Sequence, residues 1–542
     1  MRPHHKDTSA RPGVCRPSHW LPLLCLLFVT GAIAPAAAAE PRQLWLYYPT
    51  NLQANESIPK LEQVWRRAAA AGYTHVLLAD SKFARLGDLH GMEKQYFGNV
   101  EKVKKLAAEL RLELVPALFH VGYSNSMLWH DPNLAEGLPV KDAPFVVRDG
   151  LATAVTDPPL TLAKPTYKDE SVSIDGGIAT VTNPSANARF NYRLSVPRFR
   201  VYHVSVQIKT NGFTGKPEVK ALAGNHSLQW ANLKVKKTQD WTEHHVTFNS
   251  LDHEQVTLYF GVWGAARGTL QWKDWKIEEA GLVNVLRRPG APFSVKGYTE
   301  GKDFEPAADP RLGNKPWPGE YETWHEPPAI KVRGIPEGTK LSVSWHHPMV
   351  IYDGQVSCCP SEPKTMELLA EEARRLRGAF GARGYMMSHD EVRTLNWDEA
   401  CRKLNLDAGQ ILANNTRDCV KLLAGSQVYA WSDMFDPHHN AVKDYYLVRG
   451  DLTESWDGLD KSVTVMNWNF DKRDESLKFF ADRGHKQVVA GYYDGSVEQV
   501  EQWLASADKV PDVVGVMYTT WQNDYAAIEA FAKFCKPGQS GR

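Results

Sequence analysis

Leu44-Trp45-Leu46-Tyr47-Tyr48 is a short apolar run. An amphipathic stretch follows over residues 58–71, and His75-Val76-Leu77-Leu78-Ala79 is a second apolar run. Hydrophobic period reads these as strand, helix and strand. A helix at 100–110 and a strand at 112–118 extend the pattern to βαβαβ, the rhythm of a parallel sheet covered by helices. The rhythm breaks near residue 150 and returns after Ser361. Strands are then expected at 385–388, 428–431, 463–468, 487–492 and 513–518, with helices at 364–377, 408–423, 475–483, 497–507 and 525–534. Three strands before the break and five after it make eight. The economical architecture is α/β: a (β/α)8 TIM barrel, split into residues 40–150 and 361–542, with a domain inserted after the third strand.

The inserted stretch, residues 151–285, alternates polar and apolar residues between turn signals, as in Tyr202-His203-Val204-Ser205-Val206 and Val256-Thr257-Leu258-Tyr259-Phe260. This predicts a jelly-roll-like β-sandwich. Residues 286–360 are rich in Pro and Gly and read as connecting loops, with Leu341-Ser342-Val343-Ser344-Trp345 as a strand of a hairpin in the long third loop.

At the other end of the chain, basic residues up to Arg16 precede an apolar run at 21–29 and the small residues Ala37-Ala38-Ala39. That pattern predicts a secretory signal peptide over 1–39, cleaved after Ala39, and hence a secreted or periplasmic protein with no stable membrane insertion once the signal is removed. With 542 residues and 43% hydrophobic content, the chain is too long and too apolar for a disordered or disulfide-scaffold protein. Its 63 basic and 63 acidic residues give no electrostatic footprint for nucleic acid, so no nucleic-acid partner is expected. Five cysteines follow the signal: Cys358, Cys359, Cys401, Cys419 and Cys535. The odd number leaves at least one thiol unpaired, and the spacing lacks the two CxxC pairs of a zinc site. These cysteines read as structural, with at most two disulfides. Neither a metal nor a cofactor is expected, since the paired histidines at 244–245, 346–347 and 438–439 point apart on strands and no HExxH is present.

In such a barrel the polar groups that do chemistry sit at the C-terminal strand ends. Asp80 follows strand two, His120 strand three, and Ser388-His389-Asp390-Glu391 strand four. Strand five ends in Trp431-Ser432-Asp433, strand six in Asn467-Trp468, strand seven in Tyr492-Tyr493-Asp494, and Trp521 and Asp524 follow strand eight. Carboxylates, amides and tryptophans converging on one mouth suit a sugar, whose hydroxyls need polar partners and whose C–H face packs on aromatic rings. Asp390-Glu391 is the sharpest feature. Neighbours at a strand end diverge, so both can face one site only if the strand is already turning into its loop. The division of labour expected is Glu391 as general acid/base, with Asp390 orienting a substrate group and raising the glutamate's proton affinity.

The stretch from Cys359-Pro360-Ser361-Glu362-Pro363-Lys364-Thr365 to His389-Asp390-Glu391, together with Trp431, Trp468, Tyr492-Tyr493-Asp494 and Trp521, resembles the catalytic barrel of glycoside hydrolase family 20, the β-N-acetylhexosaminidases. The resemblance implies an exported glycosidase that cleaves β-linked N-acetylhexosaminides with retention. Glu391 would protonate the leaving oxygen while Asp390 holds the 2-acetamido group, whose oxygen attacks the anomeric carbon. It further implies that Tyr492 or Tyr493 donates to the acetamido oxygen, that Trp431, Trp468 and Trp521 wall the pocket, and that Asp494 and Asp524 bind hydroxyls. Ser388-His389 stand where the family has two glycines, and Tyr47-Tyr48-Pro49 where it has a strand-one arginine. The insertion resembles a carbohydrate-binding module, with Trp230, Trp263 or Trp272 as a glycan platform or, equally, as core. Two rival readings stay open: a two-carboxylate retaining glycosidase with Asp494 as nucleophile, and a non-catalytic glycan-binding protein.

Overall fold

The computed structural model describes residues 42–313 and 319–536. The signal peptide read at 1–39 lies outside them. Eight parallel strands close into a barrel in chain order: β1 (Gln43–Pro49), β2 (His75–Ala79), β3 (Glu113–Leu118), β4 (Gly384–Met387), β5 (Gln427–Trp431), β6 (Thr464–Asn467), β7 (Gln487–Tyr492) and β8 (Val513–Thr519). Closure is made by β1 against β8, with Gln43 opposite Gly515. The (β/α)8 reading therefore holds.

Around the barrel stand α1 (Ser57–Ala71), α2 (Glu93–Leu110), α3 (Pro363–Phe380), α4 (Ala408–Leu422), α5 (Arg473–Asp482), α6 (Gln499–Ala507) and α7 (Ile528–Phe534). Between β5 and β6 the described residues form no α-helix; the 3-10 turns Asp433–Phe435 and Ser455–Gly458 lie there instead. Local chemistry sets the helix ends. Pro363 opens α3 with a pre-set φ, and Gly381, at φ 58°, closes it in a left-handed turn. Asp407 and Gln410 form a reciprocal capping box at the start of α4.

The barrel interior fixes the phase of every strand. Trp45, Leu77, Ala79, Val115, Ala117, Met386, Tyr429, Trp431, Met466, Val488, Ala490 and Met517 form one inward cluster. Since side chains alternate, residues of the opposite parity face the helices.

The insertion is larger than the sequence pattern suggests. Two five-stranded antiparallel sheets form the sandwich, with central strands Val201–Asn211, Thr269–Glu279, Gln255–Val262 and Ala188–Ser195, around a core of its own. A third five-stranded sheet pairs Leu138–Arg148 with Lys340–His347 and with Leu151–Ala154. Its members were divided by the sequence reading among the first barrel segment, the sandwich and the connecting loops. Pro139 and Pro144 interrupt the alternation at 138–148 and hide the strand. At the neck of the insertion the outgoing and returning chains touch: Ala135 bridges Cys358, and the Glu136 amide donates to the Ser357 carbonyl at 2.9 Å.

All five cysteines named above are free thiols. Among the described residues, no helix is long and apolar enough to cross a membrane.

Candidate active site

A cavity of about 670 Å³ opens at the C-terminal ends of the strands. Its wall includes Tyr47, His120, Tyr123, Asp390, Glu391, Trp431, Trp468, Tyr492 and Trp521. Trp521 is 59% exposed and Tyr492 47% exposed, so both stand as an aromatic rim. Deeper in, Tyr47 meets Trp521 edge-on at 5.3 Å and Trp431 at 6.3 Å.

At the end of β4 the inward parity of Met386 continues through Ser388 to Asp390, and both line the cavity. The next residue should face away. It does not, because Glu391 adopts φ 49°, a left-handed conformation unusual for a residue with a side chain, and this turns it back to the cavity. The turn is held from several sides. The Glu391 amide donates to Asp433 Oδ2 at 2.9 Å, and Gln355 Nε2 donates to the carbonyls of Glu391 (3.0 Å) and Gly122 (3.1 Å). Gly122 is required by close approach, since a Cβ there would lie 2.0 Å from the Asp390 carbonyl oxygen.

The Glu391 carboxylate is buttressed on one oxygen. Arg393 Nη2 pairs with Oε2 at 2.6 Å, and the Tyr123 hydroxyl donates to the same atom. Arg393 is only 5% exposed, so this is no surface pair. Its guanidinium lies over the rings of Tyr123, Tyr352 and Tyr446, at 5.0–5.7 Å from their centroids. Tyr446 in turn packs on Trp230 of the sandwich at 4.3 Å.

Asp390 has no such cation against it. Burial, then the charges of Asp433 and Glu391, push its carboxyl up to about 8. His120 is half-buried at the cavity wall, and desolvation pushes its imidazole down to about 4, which favours the neutral form.

Several expected ligands are elsewhere. Asp80, His389, Asn467 and Tyr493 have the outward parity. Asp80 accepts from the Leu52 and Lys82 amides and the Tyr96 hydroxyl. His389 meets Asn415 of α4 at 3.0 Å, Asn467 donates to Ser476 and Gln487, and Tyr493 stacks on Tyr518 in the core. Asp433 is a brace, tying the Glu391 amide to Trp468 Nε1 (3.2 Å) and Asn440 (2.9 Å). Asp494 accepts from the Thr520 hydroxyl and the amides of Trp521 (2.7 Å) and Gln522 (3.2 Å). Asp524 caps the Ala526 amide. Neither aspartate lines the cavity.

Tyr47, Tyr123 and Arg393 were not singled out as ligands. Tyr47 was within reach, because it shares the phase of Trp45. Tyr123 and Gln355 come from the long third loop, where no period applies. As for the platform tryptophans, Trp272 is fully buried in the sandwich core, Trp263 carries Lys220 Nζ 3.8 Å over its ring, and Trp230 is engaged with Tyr446.

No protein-family model matches the chain, and no curated protein matches it. Among solved structures it is similar to a CBM4 structure, at 20% identity over 26% of this chain and 95% of that one (TM-score 0.17). It is also similar to a GH20 exo-β-N-acetylglucosaminidase from Vibrio harveyi, at 15% identity over 35% of this chain (TM-score 0.26), and spans about a third (34%) of that protein's length. The tandem GH20 catalytic modules of a pneumococcal exo-β-D-N-acetylglucosaminidase are 9% identical over 91% of this chain and 84% of that one, with a TM-score of 0.36.

Proposed function

We propose that the protein is an exported glycoside hydrolase that cleaves β-linked N-acetylhexosaminides with retention, using the substrate's own acetamido oxygen as nucleophile. The observation that carries this reading is that consecutive carboxyls, Asp390 and Glu391, both face one aromatic-walled cavity at the end of β4.

Glu391 protonates the glycosidic oxygen as its bond to the anomeric carbon breaks. Tyr123 and Arg393 occupy Oε2, which leaves Oε1 for the substrate. The acetamido oxygen closes on the anomeric carbon, and positive charge grows on the amide nitrogen. Asp390 acts in its ionised form, the minor one near neutral pH given its raised proton affinity, and stabilises that charge more in the transition state than in the bound ground state. Water then opens the oxazolinium ring, giving its proton to Glu391, and the two inversions sum to retention. Tyr492 is the tyrosine available to the acetamido oxygen, since Tyr493 lies in the core. Trp431, Trp468 and Trp521 supply faces for the sugar ring.

The reading with Asp494 as nucleophile has weaker support, because both its oxygens accept hydrogen bonds within the β7 and β8 loops. The test compares aryl glycosides with and without a 2-acetamido group. Turnover of the acetamido substrate only, with inhibition by a thiazoline mimic of the oxazoline, is expected. Equal turnover of both, or a 2-fluoroglycosyl ester trapped on Asp494, would overturn the proposal.

A further inference from the structure

The neck of the insertion gathers four side chains that the proposed chemistry does not use. Glu136 lies on the outgoing chain and Cys359 on the returning one, while Asp398 and Cys401 belong to the short helical turn after β4. All four are buried, and one sulfur or carboxylate oxygen from each lies within 4.8 Å of every other.

Three of the distances between them match those of ligands around one ion. Cys359 Sγ and Cys401 Sγ are 3.6 Å apart, Cys359 Sγ is 3.4 Å from Asp398 Oδ1, and Cys401 Sγ is 3.4 Å from Glu136 Oε2. A tetrahedral zinc with Zn–S of about 2.3 Å and Zn–O of about 2.0 Å has S···S edges of about 3.8 Å and S···O edges of about 3.5 Å. The remaining carboxylate oxygens are held from outside. Glu136 Oε1 accepts the amides of Trp397 (2.7 Å) and Asp398 (3.2 Å), and Asp398 Oδ2 accepts from Arg288 Nη2 at 2.5 Å. Asp398 Oδ1 also caps the Cys401 amide at 3.1 Å, and Ser361 Oγ lies 3.1 Å from Cys401 Sγ. Such outer partners orient metal ligands. Arg288 cannot balance the cluster alone, because it also pairs with Glu362 at 2.7 Å.

We infer that Glu136, Cys359, Asp398 and Cys401 bind one Zn2+ in a closed, structural site that pins the loop after β4 to the neck of the insertion. Two thiolates select a borderline-soft ion over Ca2+ or Mg2+, which take oxygen ligands. Each thiol releases its proton to solvent as its sulfur bonds the metal. The sequence could not signal this site, since its four ligands come from three separated segments without a CxxC pair.

The test uses the full chain, incubated with Zn2+ and desalted. One zinc per chain is expected by elemental analysis, and Co2+ in its place should give thiolate-to-metal charge transfer with the strong d–d bands of a tetrahedral ion. Cys359→Ser and Cys401→Ser should lose the metal. Should these fail to fold, Glu136→Gln, which keeps the shape and the acceptor of the Trp397 and Asp398 amides, and Asp398→Asn, which keeps the shape but gives up one of its two acceptors, should still weaken zinc affinity by at least about 10-fold, the lower bound for disturbing even an outer partner. Cys419→Ser, a buried cysteine outside the cluster, should retain full zinc. Folded wild-type protein that takes up no zinc, a Cys359–Cys401 disulfide found by non-reducing peptide mapping, or unchanged affinity in the two carboxamide variants would overturn the inference.

Discussion

The ends of β4 and β7 carry similar sequences with different fates. Ser388-His389-Asp390-Glu391 and Tyr492-Tyr493-Asp494 both place polar residues at the barrel mouth, and both obey the same alternation: Ser388, Asp390 and Tyr492 face in, while His389 and Tyr493 face out. At β4 the left-handed turn at Glu391 overrides the alternation and brings two adjacent carboxyls to one cavity. At β7 Asp494 has the inward parity but is taken up by Thr520, Trp521 and Gln522. A carboxylate becomes available for chemistry only where the backbone presents it and no local donor claims it.

The sharpest way to break this contrast is Glu391→Gln. Its turnover of substrates with poor leaving groups should fall about 10²–10⁴-fold, and an unimpaired variant would remove Glu391 from the acid/base role. Asp390→Asn should cost about 10²–10³-fold in kcat/KM on acetamido substrates, the scale of losing one preorganised electrostatic contact. Because the productive state keeps one proton on the pair, on Glu391 with Asp390 ionised, wild-type kcat/KM should fall as pH rises through about 8, and that limb should leave this pH in Asp390→Asn. A limb that persists in the variant belongs to another group. Gly122→Ala drives a Cβ into the Asp390 carbonyl. It should lower activity at least about 10-fold and destabilise the fold by about 1–3 kcal/mol, read from kinetics and denaturant melts. Asp494→Asn should cost less than about 10-fold, mainly in KM, because its loss loosens the Trp521 rim without touching the reacting atoms; a loss matching that of Glu391→Gln would erase the contrast.

The smallest expected effect lies away from the cavity. Glu372 of α3 is fully buried against the Phe119 amide, and burial pushes its carboxyl up to about 8 from an unfolded value near 4.5. A raised acid binds its proton more tightly when folded, so its contribution is full below pH 4.5 and fades as pH rises through 8. Glu372→Gln should therefore melt a few degrees above wild type at pH 9 and converge with it at pH 4, with activity unchanged.

The barrel was legible because its strands are near-continuous apolar runs and its helices carry a 3.6-residue period. Within the site, His120, Asp390, Glu391, Trp431, Trp468, Tyr492 and Trp521 lie on the cavity. Asp80, His389, Asn467 and Tyr493 do not, because a strand end read one residue out reverses every side chain. The interior phase of Trp45, Met386, Met466 and Val488 supplies the missing parity. No parity predicts the turn at Glu391 or the Tyr123, Gln355 and Arg393 contacts, which depend on a loop arriving from the far side of the insertion.

That arrival also bears on how the chain folds. β3 ends at Leu118 and β4 begins at Gly384, so the sheet cannot join them until everything between has been made. For an unstructured intervening chain, the closure entropy would oppose that pairing. An insertion that folds first, around its own cores, brings Ala135 and Cys358 side by side and turns the longest connection of the barrel into an effectively short one. In that order of events the guest would act as a jig for its host, with the neck presenting β4 to the open edge of a half-sheet of β1 to β3. A lesion deep in the sandwich would accordingly be felt as failure of the barrel to close, far from any residue that touches substrate.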